Sequence, residues 1–325
     1  MESDNHQESG NGDEWLLNVR DLSAQFTTRH GVVNTLNNVS LQLRRGGAMG
    51  LVGESGCGKS TLALALMRLL AANGKITSGQ IMFNGKELLT EEPDKMRRIR
   101  GKEIGMVFQD PLSSLTPTRT IGNHLIETLL AHEDIDQGTA EIRSKRLLER
   151  VGIPVTRFSE YPHQFSGGMR QRVAIAAALV CNPRLILLDE PTSALDVTLQ
   201  KSILALLGDL QRDFELTFLL ISHDLGVVAE VCETISVMYA GRIVEFGPLR
   251  KVAGRPSHCL FDKGRRQEHG GHHRIGGQQA CASDCHRNGR SGPLVTGRQG
   301  PAVRRVLRGR RRHLQTQPRR SKRSA

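Results

Sequence analysis

Apolar residues recur along this chain in two patterns, which predict strands and helices. Short runs that are apolar, or that alternate with polar residues, are typical of strands, and apolar residues at helical spacing are typical of helices. The predicted strands cover 16–20, 39–43, 48–52, 80–83, 104–108, 185–188, 217–221, 235–239 and 242–246. The predicted helices cover 61–70, 121–130, 141–151 and a stretch that starts at Gly168. Strands and helices in alternation favour an α/β fold with a mostly parallel sheet.

The segment from about residue 110 to residue 180 has a helical pattern, which predicts a helical subdomain inserted between strands. Its last part holds the longest apolar run of the chain, Val173 to Cys181. A helix that crosses a bilayer needs about 20 apolar residues. This run is therefore too short to span a membrane.

A glycine-rich stretch lies between the predicted strand 48–52 and the predicted helix 61–70, which is the setting of a phosphate-binding loop. Glycines let backbone N–H groups converge on phosphate oxygens, and the helix start adds donors and a favourable dipole. The residues expected to bind nucleotide here are Gly53, Glu54, Ser55, Gly56, Cys57, Gly58, Lys59, Ser60 and Thr61. Lys59 is placed to reach the β- and γ-phosphates, and the Ser60 hydroxyl to hold Mg²⁺. The alternative is an incidental glycine-rich turn, which the flanking strand and helix argue against.

Two adjacent acids, Asp189 and Glu190, follow four apolar residues of a predicted buried strand. In open α/β sheets, ligands bind at the carboxyl ends of the strands. Asp189 is therefore a candidate Mg²⁺ ligand, and Glu190 a candidate to orient or deprotonate an attacking water. A solvated acidic loop is the alternative interpretation.

Polar residues follow two further predicted strands. His223 comes after the strand 217–221, so we expect it at the same sheet edge as Asp189, within reach of the γ-phosphate. A surface histidine without a catalytic role is equally compatible with its position. Gln109 follows the strand 104–108 and precedes a helix-breaking Asp-Pro pair. Its amide oxygen is a candidate ligand near Mg²⁺.

Ser166, Gly167 and Gly168 open a predicted amphipathic helix, where a hydroxyl and bare N–H groups form a second candidate anion site. One chain seldom needs two sites for a single γ-phosphate. Two copies of the chain that face each other do need them.

The formal net charge of the 325 residues is +12, but the charge is concentrated at one end. Residues 260–325 contain 17 Lys and Arg against 3 Asp and Glu, which leaves a charge of about −2 on the rest. A case for nucleic-acid binding therefore depends on this tail alone. The six cysteines form no regular framework, which indicates a reducing compartment. Residues 1–14 are acidic and polar, which predicts a disordered segment with no apolar signal.

Taken together, these motifs resemble those of the nucleotide-binding subunit of an ATP-binding-cassette transporter. The matches in chain order are the Walker A loop at 53–61, the Q-loop at Gln109, the family signature at 166–171, Walker B with its catalytic Glu at 185–190, the D-loop at 193–196 and the switch histidine at His223. Phe26 lies where this family places an aromatic ring against adenine. The resemblance covers about residues 15–258.

The resemblance implies an α/β fold with a phosphate-loop NTPase core, an antiparallel β subdomain and an inserted helical subdomain. It also implies ATP and Mg²⁺ as cofactors, the latter held by Ser60, Gln109 and Asp189. The implied catalytic residues are Lys59, Glu190 and His223. Two cassettes are expected to form a head-to-tail sandwich that closes on ATP and reopens on hydrolysis.

Three segments are similar to the oligopeptide and dipeptide permease ATPases, namely 161–172, 107–115 and 223–228. Thr116 departs from the Asn that is usual there. This similarity implies a subunit that powers import of peptides or similar solutes from the cytoplasmic face of the inner membrane. The implied partners are a second cassette, identical or paralogous, two transmembrane permease subunits and, indirectly, an extracytoplasmic solute-binding protein.

Two other classes of cassette are alternatives to an importer subunit. A soluble cassette ATPase acts on nucleic acid or ribosomes, but such proteins typically carry two cassettes or a long coiled-coil insert, and neither pattern is present. Nucleic acid is therefore not an expected partner. A regulatory cassette without activity is the other alternative, which the intact Lys59, Glu190 and His223 argue against.

The resemblance ends near His258. The Pro-Tyr, the Thr-Arg pair and the leucine-rich helix that usually follow are replaced by a basic, low-complexity tail over 259–325. One hypothesis is a shift of reading frame, because codons for residues 260–263, read one base later, permit Tyr-Leu-Thr-Arg. The alternatives are a disordered arm that binds nucleic acid or anionic lipid, a metal site at His272, His273, Cys281 and Cys285 whose spacing matches no standard site, and a solvated tail without a role.

Overall fold

The computed structural model describes residues 15–252, which fold around two β-sheets. The strands are β1 (Trp15–Thr28), β2 (Gly31–Arg44), β3 (Ala48–Gly53), β4 (Gly74–Phe83), β5 (Lys86–Glu87), β6 (Ile104–Val107), β7 (Leu185–Asp189), β8 (Thr217–Ser222), β9 (Thr234–Tyr239) and β10 (Arg242–Pro248). The helices are α1 (Lys59–Leu66), α2 (Pro93–Lys102), α3 (Ile121–His132), α4 (Gln137–Arg150), α5 (Gly167–Leu179), α6 (Val197–Phe214), α7 (Leu225–Val231) and α8 (Leu249–Val252). The expectations for residues 1–14 and 259–325, and the last six residues of the expected domain, lie outside the described residues.

The larger sheet has six strands in the order β10-β9-β3-β8-β7-β6. All neighbouring strands are parallel except β9 and β10, which form an antiparallel hairpin. Every residue of β3, β7 and β8 is buried. Continuous apolar runs suit strands that are covered on both faces, so the mostly parallel sheet predicted from the pattern is confirmed.

The smaller sheet is antiparallel and has the order β2-β1-β4-β5. Its inner face packs on α1 through a core that includes Leu17, Leu43 and Phe83. Strands β1 and β2 are longer than the predicted 16–20 and 39–43, because they continue through Leu22 and Leu36 of the core into a ribbon whose tip is exposed. The ribbon pairs Phe26 with Val33 and ends at the turn between Thr28 and Gly31.

The helical insert consists of α3, α4 and α5, which pack together around buried residues such as Leu125 and Leu148. Thr120 and Asp136 cap the N-termini of α3 and α4 through their side-chain oxygens. The insert leaves the large sheet after β6 and returns to it at β7. It therefore connects neighbouring parallel strands.

Helices α2, α6, α7 and α8 and the two-residue strand β5 were not predicted. Helix α6 has 18 residues and is capped by Asp196, whose carboxylate accepts from the N–H groups of Thr198 and Leu199. The capping residue and the spacing of Ile203, Leu207 and Leu210 were available signals. Between residues 15 and 252, none of the helices is both long and apolar enough to cross a bilayer.

Candidate active site

The carboxyl ends of β3, β6, β7 and β8 lie at one edge of the large sheet and border an open pocket of about 320 Å³. Parallel strands place all their carboxyl ends on the same side, so residues from distant parts of the chain meet there. The residues that line the pocket are Ser55, Gly56, Gly58, Lys59, Ser60, Thr61, Gln109, Glu190 and His223.

The loop between β3 and α1 adopts a backbone that only glycine accommodates readily. Gly56 and Gly58 have φ angles of +80° and +110°, in the left-handed region. Gly58 is also the N-cap of α1 and supplies no side-chain acceptor for the first turn. The N–H groups of that turn are therefore suited to bind an anion.

Lys59 is the first residue of α1 and only 4% of its surface is exposed. Its ammonium group donates to the carbonyl oxygens of Gly53 at 2.9 Å and Glu54 at 3.0 Å. An ammonium group has three N–H donors, and its remaining contact is a long one of 4.0 Å to Cys57 Sγ. Burial raises the pKa of the Cys57 thiol in the same loop, which keeps that side chain neutral beside Lys59.

Asp189 ends β7 and accepts a hydrogen bond from the Ser60 hydroxyl, with 2.9 Å between Oδ1 and Oγ. Burial raises the pKa of the Asp189 carboxyl above its usual range, and the charge of Glu190 adds to that rise. The Ser60 hydrogen bond and the Lys59 charge oppose it. The end of β7 and the start of α1 are thus joined through a carboxylate oxygen and a hydroxyl oxygen, which are ligands that hard cations such as Mg²⁺ prefer.

Glu190 connects the other two polar residues of the sheet edge. Its Oε1 lies 3.3 Å from His223 Nδ1, and its Oε2 accepts from Gln109 Nε2 at 3.2 Å. Its backbone is left-handed, with φ of +46°, which turns the chain away from β7. The side chain is 15% exposed, so the carboxylate is largely shielded yet faces the pocket.

Ser166, Gly167 and Gly168 lie at the N-terminus of α5 and are not among the residues that line the pocket. The Ser166 hydroxyl accepts from Met169 N at 3.4 Å. Gly168 packs on Leu199 of α6, where an added Cβ would lie 3.2 Å from the side chain. Within one chain, the two candidate anion sites are therefore separate.

Phe26 likewise does not line the pocket. Its ring lies over Gly74 of the neighbouring strand β4, where an added Cβ would be only 2.6 Å from the ring. The expected contact between Phe26 and adenine stays a prediction.

The polar residues of this sheet edge offer few but suitable oxygen ligands for Mg²⁺. Among residues 15–252, no cluster of three or more His, Cys, Asp or Glu side chains could hold a metal. Mg²⁺ commonly takes one or two protein oxygens and completes its shell with water and substrate phosphates. The Ser60 hydroxyl and the Asp189 carboxylate fit that role, and Gln109 keeps an amide oxygen that does not bond to Glu190.

Sequence reasoning attached no role to Gly241, although the structure joins it to the phosphate loop. Its N–H donates to the carbonyl oxygen of Cys57 at 2.9 Å. The available signal was a glycine between two predicted strands, which marks a tight turn but not its neighbour in space.

A buried parallel sheet, a phosphate loop and acids at the adjoining strand ends define the chain as a phosphate-loop nucleotide hydrolase. The family model described as ABC transporter matches residues 36–193. The chain belongs to the ATP-binding cassettes of this family, which bind ATP and couple its hydrolysis to transport.

Two relatives match over most of their length. The oligopeptide transport ATP-binding protein OppD of Escherichia coli is 48% identical over 245 residues, which is 75% of this chain and 72% of the relative. The dipeptide transport ATP-binding protein DppD of Bacillus subtilis is 45% identical over 248 residues, 75% of this chain and 74% of the relative.

Among solved structures, a dimeric ATP-binding cassette bound to ADP and Pi has a TM-score of 0.65 at 28% identity. The match covers 72% of this chain and 99% of that one. The α/β fold expected from the sequence is thereby confirmed.

Proposed function

We propose that this chain is the ATP-hydrolysing subunit of a transporter that imports peptides or similar solutes. The observation that carries the proposal is the convergence of Lys59, Glu190 and His223 on one pocket. The choice of peptides is supported by relatives with 45–48% identity that are named for oligopeptide and dipeptide transport.

The phosphate loop binds the triphosphate mainly through positioning and charge. Backbone N–H groups at the start of α1 take the phosphate oxygens, and Lys59 adds a positive charge that is already oriented by two loop carbonyls. Because the lysine is fixed before the nucleotide arrives, little further ordering is needed on binding.

Glu190 is the proposed general base. Its carboxylate is held between Gln109 and His223, so it is fixed at the pocket where the γ-phosphate and the water would meet. His223 lies on the opposite side of the carboxylate from Gln109 and is more exposed, at 57% of its side chain. It is proposed to contact the γ-phosphate.

Ser60 and Asp189, with the amide oxygen of Gln109, are the residues that would hold Mg²⁺. When bound, this ion neutralises charge that builds up on the phosphate oxygens. Asp189 must be ionised to serve as a ligand, and the hydrogen bond from Ser60 favours that form.

The proposed partners follow from the separation of the two anion sites. Since Ser166–Gly168 do not reach the pocket of their own chain, a second cassette, identical or paralogous, is proposed to present them to the bound ATP. Two transmembrane permease subunits would anchor this pair at the cytoplasmic face of the membrane, and a solute-binding protein would deliver the substrate.

The proposal is tested by co-expressing the tagged chain with candidate permease and paralogous cassette subunits. We expect it to co-purify with polytopic membrane proteins, and the reconstituted complex to take up peptide only with ATP. The Glu190→Gln variant should co-purify equally but not transport. Recovery with ribosomes or nucleic acid, and no uptake by the wild type, would contradict the proposal.

A further inference from the structure

Two glycines from different parts of the chain lie so close to one backbone carbonyl that neither has room for a Cβ. A Cβ added to Gly58 of the phosphate loop would lie 2.6 Å from the carbonyl oxygen of Thr35 in β2. A Cβ added to Gly241 would lie 2.6 Å from the same oxygen. The phosphate loop, strand β2 and the turn after β9 therefore meet at one tightly packed point.

The turn itself consists of Ala240 and Gly241, which join the antiparallel strands β9 and β10. Both residues are left-handed, with φ angles of +46° and +78°. This is the backbone of a two-residue hairpin turn whose twist matches that of the strands. Residues 239 and 242 are paired on either side of it, so its position is set by the edge of the large sheet.

Hydrogen bonds connect this turn to both of its neighbours. The Gly241 carbonyl accepts from the backbone N–H of Asn37 in β2 at 2.8 Å, and the Gly241 N–H donates to the Cys57 carbonyl at 2.9 Å. The Asn37 side chain adds a bond from Nδ2 to the Ala240 carbonyl at 3.3 Å. The turn thus ties the phosphate loop to the antiparallel sheet.

The bond to Cys57 has a direct consequence for phosphate binding. The Cys57 carbonyl and the Gly58 N–H belong to one planar peptide unit, and in a trans peptide the two groups point in opposite directions. Holding the carbonyl toward Gly241 therefore aims the Gly58 N–H away from the turn. Gly58 is one of the residues that line the pocket, so that N–H is a donor for phosphate.

We propose that Gly241 is a positioning residue for ATP binding, which orients the Cys57–Gly58 peptide through its N–H. The inference depends on the binding of ATP at this pocket. Loss of the oriented donor should weaken ATP binding by about tenfold, since hydrogen bonds to charged groups are among the stronger ones. Turnover at saturating ATP should change little, because Glu190 and His223 are untouched.

The test compares two variants with the same backbone strain. Gly241→Ala places a side chain at a residue with φ of +78° and against Thr35. Gly85→Ala places one at φ of +77°, with no other atom within 4 Å of it. Both should unfold at lower urea concentrations than the wild type. Only Gly241→Ala should raise the KM and the Kd for ATP by about tenfold, with kcat within about threefold of the wild type.

The outcomes separate this inference from the proposed function. Equal ATP affinity of Gly241→Ala and Gly85→Ala would overturn the inference, whereas a wild-type protein that bound no ATP would refute the proposed function itself. If Gly241→Ala does not fold, Asn37→Ala is used, with Asn34→Ala in the same strand as its control. Asn37→Ala should raise the KM about threefold at unchanged kcat, and an unchanged KM would overturn the inference.

Discussion

Replacing Glu190 by Gln removes the proposed base while preserving its surroundings. The amide has nearly the same shape as the carboxylate, and its oxygen can still accept from Gln109 Nε2, now 3.2 Å from Oε2. Its NH₂ group then faces His223 Nδ1, now 3.3 Å from Oε1. A neutral imidazole with its proton on Nε2 accepts at Nδ1, so no polar group loses its partner.

The expected loss is confined to proton transfer, because an amide cannot take a proton from the attacking water. General-base catalysis is typically worth about 10²–10⁴ in rate. At about 1.36 kcal/mol for each factor of ten, this corresponds to roughly 2.7–5.4 kcal/mol of transition-state stabilisation. ATP affinity should stay within about threefold of the wild type, since Lys59 and the loop are unchanged.

Steady-state phosphate release gives kcat, and equilibrium titration with ATP gives the affinity. Glu233→Gln is the matched control, because Glu233 is exposed and lies just before β9, at the opposite edge of the sheet. The control should keep wild-type turnover. A kcat for Glu190→Gln within about threefold of the wild type would show that Glu190 is not the base.

Three further changes test other parts of the structure. Lys59→Ala should weaken ATP binding by about 1.5–3 kcal/mol in an equilibrium titration, and unchanged affinity would count against the loop. The hydrogen bond from Arg143 lowers the pKa of the Glu133 carboxyl, so the ion pair stabilises the protein above the ordinary Glu pKa of 4.5 and less as the pH falls through the folded value. Glu133→Gln should therefore lower the free energy of unfolding by up to about 1 kcal/mol at pH 7, measured in urea, with the difference shrinking in acid. A Cβ on Gly50 would lie 2.1 Å from Val228, so Gly50→Ala should cost about 1–3 kcal/mol, and adding Val228→Ala should recover part of it rather than add to the loss.

The sequence was most informative where local chemistry and burial act together. Strands β3, β7 and β8 are buried on both faces, and such strands need continuous apolar runs, which are visible without any knowledge of the fold. The phosphate loop was visible for a related reason, because its left-handed positions demand glycine. Both signals depend on neighbours in sequence.

The sequence was least informative where structure depends on distant pairing. The outer ends of β1 and β2, beyond Ala24 and Leu36, are largely exposed and lack a clear core-facing pattern, yet they form a ribbon because each strand supplies the other's hydrogen bonds. Helix α2 is short and strongly basic, and its last residues depart from helical geometry at Arg100 and Gly101, so its pattern was weak. The contact between Gly241 and Cys57 depends on the placement of β10 and has no local signature at all.

The hydrogen bonds of the candidate site depend on which strands are neighbours in the sheet. Gln109 and Glu190 are 81 residues apart, yet they share a hydrogen bond because β6 and β7 are neighbours. His223 reaches the same carboxylate because β8 lies on the other side of β7. Adjacent strands are about 4.8 Å apart, so one intervening strand would double the separation and put either partner beyond hydrogen-bond reach. The pattern of apolar runs predicts each strand but not this order, and it is the order that brings Glu190 between its two partners.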